Sequence, residues 1–155
     1  MNFLAYLMSL YLPLCGTTGA TGVPAPGLVD FPKLHLKGHS EFLVAPENFT
    51  PPPGLAAPTY NEPPQTLFAD LQDVAALQPL TYPLDTEPTA LQAAWVIRSK
   101  FWNFPDVLEI DVLPAPNGKS TLILYTHALY GYSDYGVNRT HAIQWLKDLN
   151  MKVSK

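Results

Sequence analysis

The residues with the clearest chemical potential form one run near the C-terminus, Gly131 to Arg139 (GYSDYGVNR). A hydroxyl and a carboxylate, Ser133 and Asp134, stand between two glycines, and a guanidinium ends the run. Such a loop can bind an anion or a polar head group, or it can close an internal ion pair. The candidate residues for either role are Asp106, Gly131, Tyr132, Ser133, Asp134, Gly136, Asn138 and Arg139.

The position of Arg139 bears on these two alternatives. It falls in the first turn of a predicted helix, where a cation opposes the partial positive charge of the helix N-terminus. We therefore expect a carboxylate partner, either Asp134 or Asp106. In one interpretation these groups form an Arg–Asp clasp that fastens the helix to a sheet. In the other they hold a small polar ligand.

Two histidines flank the loop, His127 and His141, and with Ser133 and Asp134 they could compose a hydrolytic site. No nucleophile elbow of the G-x-S-x-G type accompanies them. A serine beside an aspartate in a turn more often forms a local hydrogen bond. The sequence therefore predicts a protein that is not an enzyme.

Three predicted strands precede the loop. Apolar and polar residues alternate over 91–97 and 107–112, and β-branched and aromatic residues fill 120–126. Asn117-Gly118 predicts a hairpin between the last two strands.

Two helices are predicted from apolar residues at helical spacing, one over 67–77 and one over 139–150. Thr66 and Asn138 are the expected N-caps. Together the elements predict an α+β fold in which two helices cover one face of a small antiparallel sheet.

The N-terminal part has a different character, because eleven of the seventeen prolines lie in the first 64 residues. We expect a hydrophobic, proline-rich arm over 1–60 and the α+β domain over 61–155. Residues 17–64 offer little periodic apolar surface, so we expect something outside the domain to order them. The first charged residue is Asp30. Residues 1–14 as a helix would reach about 21 Å, short of a bilayer core of about 30 Å. They predict an arm buried against a partner subunit or an anchor at a membrane interface.

The charge and cysteine content exclude several classes of binding partner and ligand. The net charge is −4 and charged residues make up 14% of the chain, against roughly 25% in ordinary soluble domains. The basic residues form no stripe that could follow a phosphate backbone, so we expect no nucleic-acid partner. A single cysteine excludes an internal disulfide, and we expect no metal site and no cofactor.

Several motifs resemble the domain-of-unknown-function 1499 family, over about residues 40–150. They are Phe104-Pro105-Asp106, Ser120-Thr121-Leu122, the run from Gly131 to Arg139, and Phe42-Leu43-Val44-Ala45-Pro46, which resembles a leader before the domain in bacterial members. No activity is assigned to this family. Its members often follow a membrane anchor or export signal, which implies a membrane-facing, extracytoplasmic site for an alphaproteobacterial-type member or an organellar descendant. Residues 125–130 depart from the family's Ser- and Arg-rich strand end, which weakens any anion site there.

These observations lead to one principal expectation about function. Low charge, an uncharged N-terminus and a proline-rich arm predict a non-catalytic accessory or structural subunit docked on a larger membrane protein complex, respiratory or photosynthetic. Its partners would be other subunits of that complex, and the membrane through residues 1–29. The expected location is the bacterial periplasm or an organellar inner membrane such as that of the mitochondrion. The alternatives are an extracytoplasmic domain that binds a small ligand or lipid head group and, as the weakest, a hydrolase.

Overall fold

The computed structural model describes residues 16–154, which form one sheet and two long helices. The helices are α1 (Pro64–Leu77) and α2 (Val137–Val153). The strands are β1 (Glu41–Ala45), β2 (Leu55–Ala56), β3 (Thr81–Glu87), β4 (Gln92–Arg98), β5 (Pro105–Ala115) and β6 (Lys119–Ala128). Short 3-10 turns occupy Phe31–Lys33 and Pro116–Gly118. The predicted α+β class is confirmed.

The sheet has six strands in the order β2-β1-β6-β5-β4-β3. Neighbours are antiparallel except β1 and β2, which are parallel. The sheet is therefore mixed and larger than the small antiparallel sheet that the sequence predicts. The predicted hairpin joins β5 to β6, and Asn117 and Gly118 in its turn both have positive φ.

One face of the sheet packs against both helices. Alternate residues of the long strands point to this side, among them Trp95, Leu108, Ile110, Leu122 and Leu124. They meet apolar residues of the two helices, namely Leu67, Leu71 and Val74 of α1 with Ala142, Trp145 and Leu149 of α2. The rings of Trp95 and Trp145 lie 5.1 Å apart between centroids. Each fully buried large side chain contributes about 1.5–3 kcal/mol, so this layer supplies most of the stability of the domain.

Both predicted N-caps are wrong. Helix α1 begins at Pro64 with Pro63 in the cap position, because proline lacks the N–H that the first turn leaves unbonded. Helix α2 begins at Val137 and its cap is Gly136, which has a φ of 82°. Asn138 therefore lies inside the first turn.

The second face of the sheet is covered in part by the chain between residues 17 and 34. Phe31 is buried against Leu43, Ile123 and Tyr125, and Val23 packs on the same face further along the sheet. The backbone of Val29 makes two hydrogen bonds with the amide of Gln92, at 2.9 and 3.0 Å.

This packing changes two expectations about the arm. Residues 17–34 are ordered by the domain's own sheet, because β6 carries apolar side chains on both of its faces. Strands β1 and β2 also lie before residue 60, so the sheet extends past the expected domain boundary at 60/61. The leader-like Phe42–Pro46 segment contains most of β1, an interior strand between β2 and β6.

Within residues 16–154, no helix is both long enough and apolar enough to cross a membrane. The expectation that residues 1–14 bind a partner or a membrane interface lies outside the described residues.

Candidate functional site

Asp134 organises the loop that precedes α2. Its Oδ1 accepts a hydrogen bond from the backbone N–H of Gly136 at 2.9 Å, and its Oδ2 accepts one from the N–H of Asn138 at 2.9 Å. Partial burial acts to raise the pKa of Asp134, but the bonds from the Asn138 and Gly136 amides outweigh it, and the pKa lies below its ordinary value. The ionised carboxylate thus performs the capping role that the sequence assigns to Asn138.

Asn138 joins three parts of the structure through a fully buried side chain. Its Oδ1 accepts a hydrogen bond from the hydroxyl of Thr126 on β6. Its Nδ2 donates to Asp134 Oδ2 at 2.7 Å and to the carbonyl of Ser40 at 3.3 Å. The helix start, the end of β6 and the residue before β1 are therefore fastened at one point.

Arg139 is not part of this arrangement. Its guanidinium is exposed and lies 5.9 Å from the centroid of the Phe42 ring. In the described part of the chain it makes no salt bridge with Asp134 or Asp106. The predicted Arg–Asp clasp is therefore wrong, and its physical replacement is the Asp134–Asn138 pair. Amide donors already occupy the Asp134 carboxylate.

Asp106 lies near the loop on the helix-facing side of the sheet. Its Oδ2 is 3.7 Å from His141 Nε2 on α2, and its side chain is 13% exposed. Burial raises the pKa of Asp106 to about 7, the charge of Asp134 acts in the same direction, and His127 opposes both. Burial also lowers the pKa of His141. The structure thus brings Asp106, Asp134 and His141 together.

A second polar group lies on the other face of the sheet. His127 Nε2 is 3.2 Å from Glu109 Oε1, and the His127 ring stacks on Tyr125 at 4.9 Å. The Tyr125 hydroxyl donates to Glu41 Oε2 at 2.6 Å. Burial and the hydrogen bond to Glu41 raise the pKa of Tyr125. Glu41, Glu109 and Tyr125 cannot be recognised as one group from the sequence, because their proximity depends on strand register.

The parts of the suggested hydrolytic site are dispersed. His127 pairs with Glu109 on one face, whereas His141 approaches Asp106 on the other. Ser133 is exposed, and its Oγ accepts a weak hydrogen bond from the N–H of Tyr135 at 3.3 Å. Ser133 therefore stabilises the turn locally, as the sequence indicates for such a serine. In residues 16–154, His, Cys, Asp and Glu side chains do not gather in threes in a way that could hold a metal ion.

Exposed aromatic side chains gather at the end of the sheet where the loop begins. We call this surface the aromatic end and define it as Phe101, Trp102, Phe104, Tyr132 and Tyr135. Phe101 is 86% exposed, Trp102 69% and Tyr135 95%. Its two loops are adjacent, since the N–H of Leu129 after β6 donates to the carbonyl of Pro105 at the start of β5 at 3.3 Å.

Arg98 fixes the N-terminal chain beside the aromatic end. Its side chain is buried, and it donates to the carbonyls of Gly19 at 3.0 Å and Asn103 at 3.0 Å, and to the hydroxyl of Thr17 at 3.0 Å. Asn103 Nδ2 in turn donates to the carbonyl of Thr17 at 2.8 Å. The strand predicted over 91–97 ends one residue before Arg98. Its position at the end of an otherwise apolar strand is the signal that it is buried.

The fold defined by these elements is an α+β sheet-and-helix domain with a loop fastened by Asp134 and Asn138. A family model described as "Protein of unknown function (DUF1499)" matches residues 36–149, more than half of the chain. The protein belongs to this family. No curated protein aligns with the chain at a significant level.

Solved structures with a similar fold include Ara h 8.0201, at a TM-score of 0.50 with 12% sequence identity, covering 73% of this chain and 96% of that one. Protein MLL2253 from Mesorhizobium loti gives a TM-score of 0.45 with 14% identity over 62% of this chain and 93% of that one. The protein TTHA0849 from Thermus thermophilus gives 0.34 with 10% identity over 73% and 90%. At these identities the likeness to Ara h 8.0201 concerns the fold alone.

Proposed function

We propose that this protein is a non-catalytic accessory or structural subunit that docks on a larger membrane protein complex, respiratory or photosynthetic. The observation that carries the proposal is the attachment of Thr17 to Arg98 and Asn103. This attachment places the junction with the uncharged, apolar segment 1–15 beside the exposed aromatic end. The described chain therefore begins at the end of the domain that carries the exposed aromatic residues.

The rest of the surface supports the same proposal. Helices cover one face of the sheet and the arm covers part of the other, so the large apolar residues of the strands are already buried within the chain. An exposed cluster of aromatic residues on a protein whose core is complete is typical of an interaction site. The family resemblance supports a position on the extracytoplasmic face of a membrane, in the bacterial periplasm or an organelle, as part of this proposal.

The test is extraction of the native membrane in a mild detergent, followed by size separation and mass spectrometry of co-migrating proteins. We expect defined protein partners at several times the 17.1 kDa of this chain. Leu7→Glu with Leu10→Glu, which places charges in the N-terminal segment, should abolish co-migration. Met151→Glu, at an exposed apolar position on the last turn of α2, is the matched control and should retain it. Migration of the native chain alone would contradict the proposal.

A second candidate function is the binding of a small polar ligand or lipid head group. The observation that favours it is the buried Asp106 carboxyl, 3.7 Å from His141 and beside the loop that leads to the exposed Arg139. Native mass spectrometry of the protein from its source should then reveal a bound molecule. Arg139→Ala should lose that molecule and retain the melting temperature. A protein that carries no adduct from its native source would contradict this candidate.

A further inference from the structure

Three separate loops contribute exposed apolar side chains to one end of the sheet. The loop after β4 carries Phe101, Trp102 and Phe104, and the loop after β6 carries Tyr132 and Tyr135. Leu80, which precedes β3, lies beside them, because its carbonyl accepts a hydrogen bond from the N–H of Arg98 at 2.9 Å. Leu80 is itself exposed. Exposed apolar side chains thus flank strands β3 to β6 at one end of the sheet.

The residue types at this end match one kind of surface. Tryptophan and tyrosine are enriched where a bilayer meets water, since an apolar ring and a polar tip suit that boundary. Lysine suits it as well, because its long apolar stem can lie in the lipid while the amine reaches the head groups. Here the Lys100 amine lies 5.7 Å from the centroid of the Phe101 ring. Trp102, Tyr132 and Tyr135 carry polar tips on exposed rings.

The chain outside the described residues supplies an independent argument. Residues 1–15 contain no charged side chain and include five leucines, two tyrosines and a phenylalanine. They join the domain at Gly16, next to Thr17, whose carbonyl is bound by Asn103 between Trp102 and Phe104. A membrane that receives this segment would therefore face the aromatic end directly.

We infer that the aromatic end is a lipid-binding surface, which inserts Phe101 and Trp102 into the interface of a bilayer beside the N-terminal segment. This inference rests on the proposed membrane docking and specifies its partner: the domain itself contacts lipid. Because aromatic burial and not charge drives the contact, binding requires no anionic lipid and persists at high salt.

The tryptophans of this chain make the inference directly measurable. There are three, and Trp95 and Trp145 are buried in the core, whereas Trp102 is exposed. The full chain is mixed with phosphatidylcholine vesicles that contain a fraction of brominated lipid, at low salt and at high salt. We expect a blue shift of the emission and quenching by bromine, both absent in Trp102→Phe.

Substitution then measures the contribution to affinity. Phe101→Ser with Trp102→Ser should weaken vesicle partitioning at least about tenfold, or about 1.4 kcal/mol, because both aromatic rings are removed from the apolar interface. Leu55→Ser with Met151→Ser removes two exposed apolar side chains away from the aromatic end and should leave partitioning unchanged. Circular dichroism is the check that all variants are folded.

Two alternative outcomes overturn the inference, and a third separates it from the proposed subunit role. Vesicle binding without any change at Trp102 would assign the membrane contact to residues 1–15 alone and leave the proposed docking intact. Shielding of Trp102 in a protein complex but not on vesicles would assign the aromatic end to a protein partner. Conversely, bromine quenching of Trp102 together with a native chain that migrates alone would retain the lipid surface and contradict the proposed subunit role.

Discussion

Substitution of Asn138 tests how the loop is built. Its fully buried side chain accepts a hydrogen bond from Thr126 and donates to Asp134 and Ser40. Asn138→Ala leaves the buried Thr126 hydroxyl without its partner, which costs about 1–3 kcal/mol. The other two partners of Asn138 keep a donor each: the Asp134 carboxylate keeps the N–H of Gly136, and the Ser40 carbonyl keeps the N–H of Ala128. Loss of the two hydrogen bonds that Asn138 donates therefore adds only about 1 kcal/mol in total. We expect Asn138→Ala to lower the free energy of unfolding by about 2–4 kcal/mol.

The assay is urea unfolding followed by tryptophan fluorescence, with Thr126→Val as the partner variant. Valine removes the hydroxyl, so the double variant leaves no orphaned group at this point. Its loss of stability should therefore be smaller than the sum of the two single losses by about 1–3 kcal/mol. A cost of Asn138→Ala below about 0.5 kcal/mol, which is typical of an exposed site, or strict additivity of the two changes, would refute the assigned role of Asn138.

Three further predictions concern the surroundings of the loop. Burial is the chief cause that raises the pKa of Asp106 from 3.8 to about 7. Between these two pH values the folded protein keeps a proton that the unfolded chain releases. The free energy of unfolding therefore falls as the pH rises from 3.8 to about 7. Asp106→Asn should therefore stabilise the domain more at pH 8 than at pH 5, by about 1–3 kcal/mol, and an equal effect at both pH values in urea unfolding would contradict the assignment. Arg98→Met should release the arm, with thermolysin cleavage near Val23 at least about tenfold faster, whereas the exposed control Lys100→Met should not change that rate. Gly136→Ala should lower the free energy of unfolding by about 1–2 kcal/mol, because φ is 82° at this position. The new methyl group would have open space around it, so the whole loss comes from backbone strain. A decrease in melting temperature equal to that of Val137→Ala would argue against such strain.

The interior of the sheet can be predicted from the sequence because its signals are local. Leu108 and Ile110 alternate with acidic residues, and Asn117-Gly118 provides the positive φ angles that the hairpin turn requires. Strand β3 was not predicted, because Pro83 interrupts it and the register shifts between Pro83 and Asp85. An edge strand tolerates both features.

The covering of the second sheet face could not be predicted in the same way. Val23 and Phe31 lie in an irregular, proline-rich segment. Apolar residues there do not recur at helical or strand spacing, so the sequence does not indicate that these two are buried. Their partners on β4, β5 and β6 follow much later in the sequence. Only the register of the finished sheet places an apolar surface opposite them.

For the candidate site, the sequence predicts an ion pair at Asp134, and the structure has hydrogen bonds from Asn138 in its place. Asp134 was identified, but its partner is Asn138 and not Arg139. Consecutive helical residues point about 100° apart, so the choice between 138 and 139 decides which one faces the sheet. A usable signal was present, since Asn138 lies four residues before Ala142 and seven before Trp145, on the apolar stripe of α2.

The interior position of β1 has a consequence for how the chain acquires its structure. Glu41 of β1 and Tyr125 of β6, joined through their side chains, are separated by 84 residues. Such distant pairing slows folding, because the intervening loop must close before the contact forms. During synthesis β1 and the arm emerge before β6, so their apolar residues stay exposed to solvent until β6 is made. Such exposed apolar segments are prone to aggregation. A chaperone, or early binding of the N-terminal segment to its membrane or partner, would therefore protect this protein most between the synthesis of β1 and the synthesis of β6.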